Sequence, residues 1–303
     1  MFIRYLFITV VLLLIGAPVQ AKSTCGGKGV WLQVLGSGGP ELDDGRASSG
    51  YVIWLNGKAR ILIDMGAGSM LRFEQSGASL NDLDVILLSH LHVDHSNDLP
   101  ALIKASYFTD RERNLPLYGP SGNRLMPSAT TFVQGLFGSD GTYRYLSDYL
   151  DGRESYRLLA HDVETSTKVG QVVMANSSYR LTAVSVHHGP IPALAWRVDI
   201  SGRSLVFSGD MSNHNNVLST LAKQADLLVA HHAIPEHFGT IARRLHMPPS
   251  VIGRIAAKAS VKQLVLSHRM NRTLGQEQSS AERIRQSYTG PLHFADDLQC
   301  FRP

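Results

Sequence analysis

Four residues in six positions, His90, His92, Asp94 and His95, are of the types that hold metal ions. Imidazole and carboxylate donors gathered this closely suit zinc, and mixed nitrogen and oxygen sets also accept Mn2+ or Fe2+. His90 and His92 stand two apart, so an extended chain points them the same way. Asp94 and His95 follow where the chain turns. A polar loop that merely happens to be rich in histidine is the competing reading. Three histidines at this spacing have little reason to gather in one.

Stepping along the chain, the run follows an apolar segment, 84–88, that reads as a strand buried on both faces. Other strand ends deliver further donors. His187 and His188 close the strand 179–186, and neighbours on a strand face opposite ways, so only one of them should be a ligand. Asp210 follows the strand 204–208, where its two oxygens could bridge two cations. His268 follows the strand 263–267. Each alone reads equally well as a satisfied structural polar residue. Four strand ends converging on one donor chemistry favour a metal site.

Strands are also expected at 31–35, 51–54, 60–63, 193–199 and 227–230, and helices at 99–107, 216–225, 249–259 and 280–287. The polar stretch 119–157 reads as a lid or insertion outside the core. Phe108, Tyr143 and Tyr145 belong either to a pocket wall or to packing within that segment. Strands in both halves, with helices between them and no Pro/Ser linker, imply two packed sheets covered by helices.

These motifs resemble the metallo-β-lactamase superfamily, whose signature is the His-x-His-x-Asp-His run. The resemblance spans residues 30–268 and is nearest to the ribonuclease Z branch, which includes some arylsulfatase-like enzymes. It also rests on Leu35-Gly-Ser-Gly-Gly39, Ile63-Asp64-Met-Gly66, Phe207-Ser-Gly-Asp210, Leu266-Ser-His268 and Pro192-Ala-Leu-Ala-Trp-Arg197. It implies a four-layer αββα sandwich, two mixed sheets flanked by helices. It implies two divalent metal ions, one on His90, His92 and one of His187/His188, the other on Asp94, His95 and His268, with Asp210 bridging. His-Gly followed by Pro and Ala favours His188.

By the same resemblance His246 protonates the leaving group, beside Asp94 as the second catalytic candidate, and Asp64 supports the ligands from behind. A structural hydrogen bond at a helix entry is the alternative for His246. Two departures stand out. Met211 replaces a usual Thr, and His231-His232 stands where the branch often has Glu, which puts the orientation of His246 in question. His161, His214 and His237 have no motif and read as surface or structural. The glycines at 36–39 lack the spacing of a dinucleotide-binding loop and read as a tight turn.

The N-terminus adds a location. Arg4, an apolar run over 5–16 and a small-x-small ending at Ala21 read as a signal peptide over 1–21, leaving a hydrolase domain over 22–303 and a secreted or periplasmic protein. No membrane span is expected after cleavage. Cys25 and Cys300, the two cysteines, would then form a disulfide between the chain ends, or stay as two unpaired thiols. A formal charge of +4 with no block of Lys or Arg points away from a phosphate-tracking groove.

The function expected is an exported hydrolase that uses a two-metal-activated hydroxide on ester bonds, phosphodiesters foremost. Arylsulfatase or lactonase/carboxylic ester chemistry on the same fold is the alternative. A metal-binding protein without turnover is the reading from another class. A small ester is the expected substrate, nucleic acid is not an expected partner, and a homodimer rests on analogy alone. Transfer-RNA processing, the branch's best-known activity, sits poorly with export.

Overall fold

The computed structural model describes Cys25 and residues 27–303. The expected signal peptide, 1–21, lies outside the described residues. The strands are β1 (Val30–Gly36), β2 (Gly50–Leu55), β3 (Lys58–Met65), β4 (Val85–Leu87), β5 (Leu115–Pro120), β6 (Leu158–Val163), β7 (Gln171–Ala175), β8 (Tyr179–His188), β9 (Ile191–Ile200), β10 (Arg203–Phe207), β11 (Leu227–His231), β12 (Gln263–Ser267), β13 (Leu292–Phe294) and β14 (Cys300–Phe301). They form two seven-stranded sheets, in the orders β14-β1-β2-β3-β4-β5-β6 and β13-β12-β11-β10-β9-β8-β7. Both are mixed. In the first, β3 to β6 run parallel and the rest antiparallel. In the second, β10 to β13 run parallel and the rest antiparallel.

The β-branched and leucine-rich runs explain the layers. Strand side chains alternate between faces. Ile61 and Ile63 of β3 and Leu87 of β4 point between the sheets, where they meet Phe207, Val229 and Val265 from the second sheet. Leu62 and Ile86 point the other way, toward helices. Each such side chain, fully buried, contributes roughly 1.5–3 kcal/mol of transfer free energy. The first sheet is covered by α1 (Ser69–Ser76), α2 (Val93–Ser96), α3 (Leu99–Ser106), α4 (Ala129–Phe137) and α5 (Asp148–Asp151). The second carries α6 (Leu218–Leu221), α7 (Thr240–Arg243), α8 (Pro249–Lys258) and α9 (Glu277–Arg285). In α8, Pro249 opens the helix, and Ile252, Ile255 and Ala256 face the sheet at helical spacing. The architecture is therefore the α/β/β/α sandwich.

Three expectations need correction. The stretch 119–157 is no lid, since Ala129, Val133, Phe137, Leu146 and Tyr149 are buried in the core between the first sheet and its helices. Phe108 and Tyr145 are exposed and gather with Tyr107 around the Lys104 ammonium, not on a pocket wall. The helix expected over 216–225 shrinks to α6, because Asn216 and Gln224 take left-handed backbone angles that end it at both sides. Cys25 and Cys300 form a disulfide, with Cα atoms 5.7 Å apart. Among the described residues no helix is long and apolar enough to cross a membrane.

Candidate metal centre

The donors collect where strands of both sheets end. After β4 the chain passes Ser89 and His90, and His92 precedes α2, which carries Asp94 and His95. His90 and His95 are wholly buried, and the Nε2 atom of each has no hydrogen-bond partner. His188 ends β8 and its Nε2 lies 3.4 Å from His92 Nδ1. Asp210 sits between the two halves. Its Oδ2 is 3.8 Å from both His95 Nε2 and His188 Nε2, and its Oδ1 is 3.5 Å from His268 Nε2. Asp94 Oδ2 lies 3.2 Å from His268 Nε2 and 3.5 Å from His95 Nε2. Two groups have donor atoms within 4.8 Å of one another, His90–His92–His188–Asp210 and His95–Asp210–His231–His268.

Backbone geometry makes the convergence possible. A Cβ on Gly66 would lie 2.0 Å from the Asp94 carbonyl oxygen, so glycine lets α2 settle onto the end of β3. Gly209 has φ 57°, a left-handed turn that delivers Asp210 inward. Asp64 and His268 hold φ of 52° and 53° without that freedom, a local cost tolerated where the surroundings fix the side chain. The glycines at 36–39 do not form a tight turn. β1 and β2 are joined by a long loop, and Gly39 packs against His268, where a Cβ would lie 3.0 Å from the imidazole carbon.

The surrounding hydrogen bonds aim the rings. Asp64 accepts from the Ser89 amide at 2.7 Å, the Ser89 hydroxyl at 2.7 Å and His95 Nδ1–H at 2.8 Å. His188 Nδ1–H donates to the Leu245 carbonyl at 2.9 Å. In both rings this turns Nε2 inward, the orientation metal-ligating histidines adopt. His187 does not reach the cluster. It points to the opposite face of β8, with Nδ1 2.9 Å from Ser212 Oγ, so its place among the candidate ligands is withdrawn. The reason is strand alternation.

His231 enters the cluster, and the sequence reading assigned it no role. Its Nδ1–H donates to Asp210 Oδ1 at 2.8 Å and its Nε2 meets the Tyr51 hydroxyl at 3.1 Å. Both nitrogens are engaged, so His231 fixes Asp210 in place. The doublet His231-His232 after a strand was the available signal. His232 points elsewhere, with its Nε2 3.0 Å from Ser280 Oγ. His246 lies at the cluster's edge, its buried Nδ1 3.8 Å from Asp210 Oδ2 and without a hydrogen-bond partner.

Electrostatics favour a cation here. Burial opposes ionisation of Asp210, yet His268, His246, His231 and His95 together hold its carboxyl well below the usual range. The Asp94 carboxyl is also held low, by His95 and His268 against burial. Burial lowers His90, His92 and His188. Two ionised carboxylates thus face the neutral imidazoles of His90, His92 and His188, and the buried Nε2 atoms of His90 and His95 and Nδ1 of His246 have no hydrogen-bond partner. An unpaired buried polar atom costs about 1–3 kcal/mol, and a divalent cation removes that cost at several atoms together. The residues fit a metal centre on their donor chemistry.

The family described as "Beta-lactamase superfamily domain" matches residues 59–269. The chain belongs to that superfamily. As a member it is a hydrolase with a His/Asp cluster suited to divalent metal. A ribonuclease Z from Mycobacterium sp. (strain KMS) is 28% identical over 277 residues, covering 88% of this chain and 93% of the relative. Two solved structures share the fold at TM-score 0.70 and 20% identity, each covering 90% of this chain and 98% of its own. They are the metallo-β-lactamase fold protein YhfI from Bacillus subtilis and the short form of human tRNase Z. The ribonuclease relatives overturn the expectation that nucleic acid is not a partner. That expectation rested on the low net charge, the lack of a block of Lys or Arg and the expected export.

Proposed function

We propose that this chain is an exported phosphodiesterase that works with two divalent cations, zinc the best match to its donors. The observation that carries the reading is Asp210, a single carboxylate facing imidazoles of both donor groups. His90, His92 and His188 would hold one ion, and Asp94, His95 and His268 the other, with Asp210 shared. Cations bound there would polarise a phosphoryl oxygen and lower the pKa of a water from about 15.7 towards 7. The similarity to ribonuclease Z supports phosphodiesters as the ester class.

The protein's own groups then have distinct tasks. Asp64 and His231 fix His95 and Asp210, so that no rearrangement is needed when substrate arrives. Asp94 keeps its negative charge and orients His95 and His268. His246, at the edge of the cluster, would donate a proton from its ring to the departing oxygen. Burial lowers its pKa to about 3, against the pull of Asp210, so the donor role requires that a bound anionic substrate raise it. The disulfide between Cys25 and Cys300 supports the export reading, because such bonds persist in oxidising compartments.

A substrate panel tests this. Bis-aryl phosphodiesters, aryl sulfates and lactones are assayed before and after a chelator. Phosphodiester turnover that a chelator abolishes and zinc restores is expected. No turnover of any of the three with two metals bound would sink the reading. His246→Ala should lower kcat by about 10²–10⁴-fold on an alkyl leaving group, the range for general acid catalysis, and far less on 4-nitrophenolate, which leaves unaided. An equal loss on both would remove the proton-donor role.

A further inference from the structure

Between β11 and His246 the segment 237–244 stands clear of the protein. All of it but Ala242 is exposed, and α7, which it contains, has no buried residue. Its anchors lie at the metal centre or beside it. The Leu245 carbonyl accepts from His188 Nδ1–H at 2.9 Å, and the Ala242 carbonyl accepts from the His246 amide at 2.8 Å. At the other end the Ala233 carbonyl accepts from Arg272 Nε–H at 2.6 Å, and Glu236 accepts from the Ser250 amide at 2.9 Å and hydroxyl at 2.7 Å. The segment is thus a wall standing on the rim of the donor cluster.

This wall presents two apolar side chains to solvent. Ile241 is 79% exposed, in a helix that buries nothing. A single exposed apolar residue needs no explanation, but Phe238, three positions earlier, is exposed as well. The Arg272 guanidinium lies over its ring, with the central carbon 4.9 Å from the centroid.

Arg272 brings charge to the same place. It stands four positions after His268 and is half-buried, and among the described residues no carboxylate pairs with it. Burial lowers its pKa, with Glu41 and Asp210 opposing, and its own charge adds to the burial that lowers His246. A fixed cation therefore lies within electrostatic reach of Asp210 and His246. Arg243 and Arg244, both exposed, add to the positive field, and the one acid of the segment's base, Glu236, is engaged by Ser250.

We propose that Arg272, Phe238 and Ile241 form a subsite for an amphiphilic phosphodiester, one with an alkyl or acyl chain beside its phosphate. Arg272 holds a phosphoryl oxygen, and the chain lies along Phe238 and Ile241. His246, five positions after Ile241, puts the chain on the side of the departing alcohol. The inference rests on the phosphodiesterase reading and names its substrate class. A neutral ester would leave the Arg272 charge unanswered. A second copy of this chain fits the wall poorly, because a two-fold contact would set Arg243, Arg244 and Arg272 against themselves.

Dimethyl phosphate and methyl hexyl phosphate, diesters with poor leaving groups, test this by calorimetric titration into zinc-loaded protein. Each buried methylene is worth roughly fourfold in affinity, so with about half of the extra chain covered the longer diester should bind roughly thirtyfold more tightly. Phe238→Ser/Ile241→Ser should remove most of that ratio and leave the affinity for dimethyl phosphate as it is. Arg272→Met should instead weaken both diesters by the same factor, roughly tenfold or more, and keep the ratio. Urea unfolding checks the fold of each variant, and Ile241→Ser alone replaces the double variant if its midpoint falls. Equal affinities for the two diesters would overturn the subsite, and so would a ratio that survives the serine substitutions. If the ratio is absent and those substitutions instead abolish binding to phosphatidylglycerol vesicles, the wall is a membrane anchor and the subsite falls. A ratio lost as expected, in a protein that cleaves no phosphodiester, would keep the subsite and remove the catalytic reading.

Discussion

At His95 the two ring nitrogens have different tasks. Nδ1–H is held by Asp64, and Nε2 faces Asp94 and Asp210 with no protein partner. Burial opposes a charge on this ring, but Asp94, Asp64 and Asp210 outweigh it and raise its pKa to about 9. The sign follows. Without metal the ring carries a proton below about pH 9, and a cation binding at Nε2 must displace it. Zinc added to metal-free protein at about pH 7.5 should therefore release protons, measured by calorimetry in buffers of different ionisation enthalpy. The release should shrink as pH rises past about 9. Asp64→Asn removes one of the carboxylates that raises the pKa. It should release fewer protons and bind zinc about 10–100-fold more weakly, the usual cost of losing a histidine's outer partner. Equal release from both proteins would show that Asp64 does not set the state of His95.

At the scale of elements, strand ends were the legible part. The apolar runs before His90, Asp210 and His268 are β-branched or leucine-rich and short, so they mark both a buried strand and where it stops. β12 coincides with its expected span, 263–267. The choice between His187 and His188 needed the register of β8, because alternation says that one ring turns inward and not which. Other elements were hidden by their composition. β5 contains Pro116, Gly119 and Pro120, residues depleted in strands, yet it lies between β4 and β6.

The contact of α2 with the end of β3 can be tested at Gly66. Its φ is not in the left-handed region, so the requirement for glycine is steric alone. Gly66→Ala places a methyl against the Asp94 backbone, which cannot swing aside as a side chain would. Destabilisation of about 1–3 kcal/mol or more is expected in urea unfolding, with weaker zinc binding because Asp94 and His95 move with α2. Gly135→Ala in α4, where a Cβ meets nothing within 4 Å, should instead be neutral or stabilising by up to about 1 kcal/mol. Equal behaviour of the two variants would remove the steric account.

For the molecule as a whole, the chain ends are tied together. Cys25 and Cys300 are 275 positions apart, and β14, which carries Cys300, pairs with β1 at the edge of the first sheet. β14 is two residues long, too short to hold the C-terminus by ladder hydrogen bonds alone. The disulfide acts mainly by restricting the unfolded chain, and loop-closure entropy grows only with the logarithm of length, so a loop this long contributes about 2–5 kcal/mol. Cys25→Ala/Cys300→Ala should lose that amount in urea unfolding, and thiol reduction of the unaltered protein should lower its midpoint in the same direction. Phosphodiester turnover at 25 °C should be unchanged, because no donor to the metal centre lies on β14 or before β1. Protein recovered from an oxidising compartment should show the higher midpoint, and protein from a reducing cytoplasm the lower. Identical midpoints with and without reductant would mean that the bond adds nothing to stability, and the structural support for export would go with it.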